Sequence, residues 1–554
     1  MTLVAKQLPM QRFRAPTARE KTLQVPHLSQ ARSLWSDNRH LLNIDAAHVV
    51  ISNVLLPEMR RTAQLELLAM AREHTRQYLP EHPLAKQSPV DRRTPEEQVS
   101  PSLIVSGHQP ELFHPGVWYK NFALDSIAQQ TGSVGINLII DNDLCATAGV
   151  HVPSGRIDDP QSAYVPYDTV ADAVPWEDRP VINETLFQSF GSRLAEALVE
   201  GAPAPLAASI WNDVDQLPLE TLNLGERLAA LRHRCEFHAG LRTLEVPLSR
   251  VCETESFARF AASLLNDAAR FQRLHNVALD EYRKANRLRS KTHPVPDLAL
   301  DGDWVETPFW IWTAEQPQRR HLFVRFNGGQ VTLSNRVDLS FEIGRDDLPE
   351  WLANASNDGL RIRSRALITT MYARLMLSAL FLHGIGGAKY DELTDLLISR
   401  FFEITPPKFM VLSATVHLPV ASPNVDAVDL THLRQLLRSL QYHPERFLES
   451  QGNLAPEAER LIRVKRDLLK AMPTSGSKRD WHRQIVAVNE QMQPLLRERA
   501  YELQAELERL QRDLHIKQIL ASREITFVAY PRTLADQLKH WADDTAAPEP
   551  LAID

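Results

Sequence analysis

Two histidines, a glutamine, a lysine and several glycines crowd one short stretch of this chain. They are Gly107-His108-Gln109-Pro110, His114-Pro115-Gly116 and Lys120-Asn121. The stretch lies between an apolar run, Leu103-Ile104-Val105, and a segment with helical spacing, Val117 to Gln130. A helix N-terminus offers unpaired N–H groups and a partial positive charge. Histidines there can donate to an anion, and Lys120 adds a formal charge. The plainer alternative is a histidine satisfying loop carbonyls. Neither the dinucleotide spacing of glycines nor a Walker loop is present.

A second set is Asp141-Asn142-Asp143, which closes the apolar run Ile136 to Ile140. Acids at a strand's carboxyl end can orient an amine or hydroxyl, or act as a base. An Asx turn or helix cap would use the same residues. His108, His114, Asp141 and Asp143 have no diagnostic metal spacing, so no metal is assigned. A third set is Arg363 and Arg365, then His383, Gly384, Gly386, Gly387, Lys389 and Tyr390. Glycine turns let a ligand approach the backbone, and arginine clamps carboxylates and phosphates. A helix C-cap and surface ion pairs are the alternatives. The cluster Trp304, Phe309, Trp310 and Trp312 reads as packing before stacking on a ligand.

These residues need elements to position them. Strand, loop, helix and strand between Leu103 and Ile140 make a βαβ unit. Ligands of such sheets bind beyond the carboxyl ends of the strands. The sets around His108 and Asp141 should therefore share one crevice, reached by the glycine turn from the second half of the core. Residues 1–99 read as an N-terminal segment that ends in a Pro- and charge-rich linker. Residues 100–200 and 346–424 read as two parts of an α/β core, split by an insertion at 201–345 where Asn327-Gly328-Gly329 predicts a hairpin. Within the second part, Ala366 to Leu382 is expected as one helix. Met492, Leu496, Ala500, Leu503, Leu507, Leu510 and Leu514 alternate steps of four and three, an a/d coiled-coil seam. With the helix Pro456 to Lys470 it predicts an antiparallel hairpin within 425–524, followed by a C-terminal segment at 525–554. The seam predicts a homodimer, with closure within one chain as the alternative.

Composition excludes other classes. The 554 residues carry a formal charge of −7, with 44% hydrophobic and 24% charged residues. That is globular, without the basic patch of a nucleic-acid binder. No run approaches the ~20 apolar residues of a membrane span, and the opening lacks the apolar centre of a secretory signal. A cytoplasmic protein is expected. Cys145, Cys235 and Cys252 form no CxxC pair, which argues against a disulfide framework. Cys145 lies near the candidate site but reads as an inert thiol.

Three segments carry a family resemblance: SGHQPELFHPGVWYKNFALDSI, INLIIDND and RSRALITTMYARLMLSALFLHGIGGAKYDEL. Their order resembles the bacillithiol-biosynthesis cysteine-adding enzymes, with their Gly-Gln-Gln loop, acidic motif, Arg-Pro-Leu segment and glycine turn before Tyr. The chain has His108 where that family has its first Gln, no histidine in the acidic motif, Ile385 for Pro and Gly387 for Glu. Looser likenesses are to WbqC-like proteins and HxGH nucleotidyltransferases. The resemblance implies a Rossmann-like α/β core with a C-terminal coiled-coil hairpin. It also implies an enzyme joining cysteine, or another acid, to the amine of an amino-sugar. On that reading His108, Gln109 and His114 bind and polarise an anionic group. Asp141 or Asp143 orients or deprotonates the amine, beside Asn142. Arg363 and Arg365 hold a carboxylate. Gly384 to Gly387 approach a nucleotide or sugar. The substrate is a small polar or anionic molecule, and the cofactor stays open, with a nucleotide as one option. Nucleotidyl or sugar transfer on the same core, or non-catalytic ligand binding, are the alternatives.

Overall fold

The computed structural model describes residues 13–87, 101–218, 220–290, 295–450, 452, 454–475 and 478–544. The opening stretch to residue 12, most of the predicted linker (88–100), Gly476 and the polar tail (545–554) lie outside the described residues.

Six strands form one sheet: Lys21–Val25 (β1), Leu103–His108 (β2), Val134–Ile139 (β3), Leu244–Pro247 (β4), Leu380–His383 (β5) and Phe409–Thr415 (β6). Their order is β1-β6-β5-β2-β3-β4. All neighbours are parallel except β1, which pairs antiparallel with β6. The apolar residues of β2 and β3 are buried on both faces, as helix-covered parallel strands must be. From β2 the chain adds β3 and β4 on one side. It then returns to add β5 and β6 on the other. The order reverses between β2 and β5, the point at which sheets of this kind bind ligands beyond the carboxyl ends of their strands.

The helix Pro115–Thr131 crosses from β2 to β3 and is set by its ends. His114 caps it, Pro115 occupies the first position, and Gly132 closes it at φ 65°. This is the usual asymmetry of helix termini. The expected helix from Ala366 to Leu382 ends early. Ala366–Tyr372 is helical, residues 373–377 form wider turns, and Leu380–His383 is strand β5. A short apolar run does not distinguish a buried strand from a buried helix. The N-terminal segment is not separate from the core, because β1 supplies the sheet's edge strand. A second, antiparallel sheet holds Trp304–Thr313, Gln316–Asn327, Gln330–Ser334, Ser340–Gly344 and Leu360–Ser364. Its tight turn falls at Gly328-Gly329, with Gly328 at φ 58°.

Near the C-terminus, helices Ala427–Tyr442 (α1), Pro456–Lys470 (α2), Arg479–Met492 (α3) and Arg497–Leu520 (α4) share a separate apolar cluster. The leucines of α4 pack on α1, while α2 packs on α3. The expected pairing of α2 with the leucine seam is therefore replaced. Pro494 sits in a short turn at Gln493–Leu496 that splits the heptad run, freeing α4 to lie along α1. Leu503, Leu507 and Leu510 are buried within one chain. Among the described residues, no helix is long and apolar enough to cross a membrane.

Candidate functional site

The carboxyl ends of β2 and β5 are bridged by one side chain. Lys120 rises from the helix after β2 and is 3% exposed. Its Nζ donates to the Gly107 carbonyl at 2.9 Å. Its stem lies 3.9 Å from where a Cβ of Gly384 would stand, just beyond β5. No carboxylate pairs with it among the described residues. Burial, with Arg232 adding repulsion, pulls its ammonium down to about 7. Gly384 starts the 17-residue helix Ile385–Phe401 without a side-chain cap, and Gly386 faces open space. A buried cation beside open helix N–H groups is arranged for an anion.

His108 ends β2 and is buried behind this point. One ring nitrogen faces the Gln109 carbonyl at 3.0 Å and the other faces Asn121 Oδ1 at 3.2 Å. Burial and then Arg232 and Lys120 hold it well below the ordinary histidine range, so the ring is neutral and donates to only one of them. Behind it lies a buried network. Asn121 and Trp118 donate to Glu236 at 2.7 Å. Arg232 bonds Glu236 at 3.2 Å and Glu245 at 2.8 and 2.9 Å, and Asn137 reaches Glu245 at 2.7 Å. His108 and Asn121 are therefore tied to a rigid polar core. His114 faces elsewhere. Its Nδ1 accepts from Gly116 N at 3.0 Å, and burial draws it down to about 4 against the pull of Glu524. It is a helix cap. His114→Ala should cost about 0.5–2 kcal/mol of stability in a chemical melt and leave anion affinity unchanged.

The Asp141 loop follows β3, next to β2. Asp141 is buried and accepts the Ser249 N–H at 2.8 Å and the Ser249 hydroxyl. Ser249 stands just past the end of β4. Burial, with Glu177 adding repulsion, pushes the Asp141 carboxyl up to about 8. Asn142 is structural, donating to Ser364 O at 2.8 Å. Asp143 is half-exposed and takes bonds from Gln109 at 3.2 Å and Arg319 at 3.1 Å. The loops after β2 and β3 thus touch through Gln109 and Asp143.

The third set divides. Arg363 is buried and spent on carboxylates, gripping Glu177 through Nε and Nη2 at 3.0 and 2.8 Å and Glu253 at 2.7 Å. Arg365 bonds Glu306 at 2.8 Å and lies 4.4 Å over the Trp310 ring. His383 pairs with buried Asp391, which also meets Arg374 at 3.3 Å. Gly387 passes so close to the ring that a Cβ would stand 2.8 Å from His383 Nδ1. His383 and Gly387 therefore lock β5 to its helix, while Gly384 stands beside the Lys120 stem and Gly386 faces open space. Lys389 is exposed, and Tyr390 packs partly into the core.

Trp312 donates to Asp178 at 2.7 Å and Phe309 is fully buried, so the aromatic cluster is largely packing. Burial raises the Cys145 thiol to about 11, which leaves almost no thiolate at neutral pH. Cys145→Ser should retain full turnover, and loss of activity with intact folding would make the thiol a participant. Glu177, Ser249, Arg319 and Arg232 escaped the sequence reading. Ser249 was within reach, since every parallel strand's carboxyl end opens on the same edge. Arg232 and Glu236 stand four apart on one helix, a spacing that usually marks a surface ion pair. Among the described residues, no three His, Cys, Asp or Glu side chains converge as a metal site needs. No protein-family model matches this chain, and no curated protein matches it.

Proposed function

We propose that the protein is an enzyme that binds an anionic small molecule at the reversal point of a Rossmann-like sheet. There it joins an acid to an amine, in the manner of the bacillithiol-biosynthesis cysteine-adding enzymes. The observation that carries the anion-binding part is Lys120. It is a buried ammonium without a carboxylate partner, set between the ends of adjacent parallel strands and beside an uncapped helix start. The sheet order supports the Rossmann-like reading, because the reversal falls between the first and fourth parallel strands. Asp141 supports the chemistry. A buried carboxyl poised near neutrality can exchange a proton with an amine or a leaving oxygen. The acid–amine pairing itself rests on the three resembling segments.

The test is mass spectrometry of the protein with L-cysteine and a glucosaminyl malate, with and without ATP and magnesium. An amide formed with loss of water is the expected product. Pyrophosphate release on a sugar phosphate and nucleotide, with no amide, would favour nucleotidyl transfer instead. The reading extends to a cytoplasmic homodimer that assembles through the C-terminal helices. Light scattering showing a monomer at micromolar concentration would remove the dimer.

A further inference from the structure

Three arginines converge on one hollow at the outer edge of the central sheet. The helix Leu56–Tyr78 covers edge strand β4, where the Thr75 hydroxyl accepts the Glu245 N–H at 3.1 Å. A neighbouring face of that helix carries Ala69, Arg72, Glu73 and Arg76, at the spacing that brings side chains together. Arg250 approaches from the short helix Leu248–Val251, which follows β4. With Met70 these residues line a hollow of about 320 Å³. The cations are poorly matched. Arg72 gives one nitrogen to the neutral Gln87 side chain at 2.7 Å and meets no carboxylate among the described residues. Arg76 pairs with Glu73, the one acid in the lining. Arg250 reaches Glu226 only at 3.4 Å. Burial holds the Arg72 guanidinium below its ordinary value. Like charges around one hollow repel, and an anion seated among them reverses that cost. The floor decides which anion. Ala69, Met70 and the arginine stems are apolar, and Met70 packs against the core. Methionine adapts to an apolar guest and favours aromatic edges, and guanidinium planes stack on aromatic faces. A bare inorganic anion leaves this floor uncovered, whereas a ring bearing an acid covers it.

We propose that this hollow is a binding site for an aryl carboxylate, its acid held by Arg72 and Arg250 and its ring laid on Met70. The site does not depend on the reaction proposed above. Arg250 directly follows Ser249, which holds Asp141, so the hollow adjoins the segment that fixes that carboxyl.

The probe is 2-naphthoate, titrated calorimetrically into the full chain. 2-Naphthamide is the control without the charge, and acetate the control without the ring. 2-Naphthoate should bind, and both controls should bind far more weakly. Arg72→Gln and Arg250→Gln should each weaken 2-naphthoate about 10- to 100-fold, the range of a charge-assisted contact. Arg250 is partly exposed, so Arg250→Gln serves if Arg72→Gln does not fold. Lys120→Met should leave the affinity unchanged. Wild-type affinity in Arg250→Gln overturns the site, as does 2-naphthamide or acetate binding as tightly as 2-naphthoate, or no binding of 2-naphthoate at all. Loss of binding in Lys120→Met with retention in Arg250→Gln also overturns it, because the anion then sits between β2 and β5.

Discussion

Lys120→Met should remove phosphate binding and reduce turnover at least 100-fold, yet leave the protein as stable as before or more stable. A charge-assisted contact contributes about 1.5–3 kcal/mol, and Lys120 is the cation that makes it. Methionine fills the same volume without burying a charge, and such replacements are often neutral or stabilising. The pH dependence follows from the same burial. Lys120 ionises near 7 in the folded chain and near 10.5 when unfolded. Between these values the unfolded chain holds more protons, so stability rises with pH across that window. Lys120→Met should abolish this slope. An anion restores the ammonium, so phosphate binding at about pH 8 should take up a proton. Calorimetry in buffers of different ionisation enthalpy measures that uptake. Phosphate binding by Lys120→Met at wild-type affinity would remove the anion site.

The second large effect belongs to Asp141. Asp141→Asn keeps the shape of the protonated acid and should lower turnover about 100- to 10,000-fold, the usual contribution of a positioned proton carrier. Stability should move in the opposite sense to Lys120. The folded carboxyl ionises near 8 against 3.8 in the reference state. The folded chain holds more protons between these values, and stability falls as pH rises through them. Asp141→Asn should match wild type in urea at about pH 4 and exceed it at about pH 9. The two groups oppose each other between 7 and 8, so the single variants separate what the wild-type profile blends. Full activity in Asp141→Asn would reassign the residue to structure, as the tether between β3 and Ser249.

Much of the core was legible because local signals and burial agree there. The run Leu103-Ile104-Val105, the glycines around the following helix and the apolar Ile136 to Ile140 all point to a parallel sheet. Asp141 stood out as an acid at a strand's carboxyl end, and Lys120 as a cation in the first turns of the helix after β2. What was hidden depended on distance along the chain. Nothing local in Lys21–Val25 announces a partner in Phe409–Thr415. Arg363 looked like a substrate clamp because Glu177 and Glu253 are far away in sequence. His383 looked like a ligand for the same reason, since its tie to Asp391 depends on how the helix turns after Gly384. The leucine seam was correct as a buried face, but the helix covering it was not decided by periodicity, which identifies a stripe and not its partner.

The reversal between β2 and β5 also constrains how the molecule is made. Ile104 pairs with Leu380, and Lys21 pairs with Thr415. On the ribosome, β2 emerges long before its neighbour, and one flank of a strand rich in isoleucine, leucine and valine stays unpaired while the whole insertion is synthesised. Such an edge is an invitation to aggregation. Loop closure over so long an interval is slow. Chaperone demand and expression yield should therefore track the speed at which residues 109–379 fold, and silent codon changes within that interval should alter soluble yield without altering the finished protein.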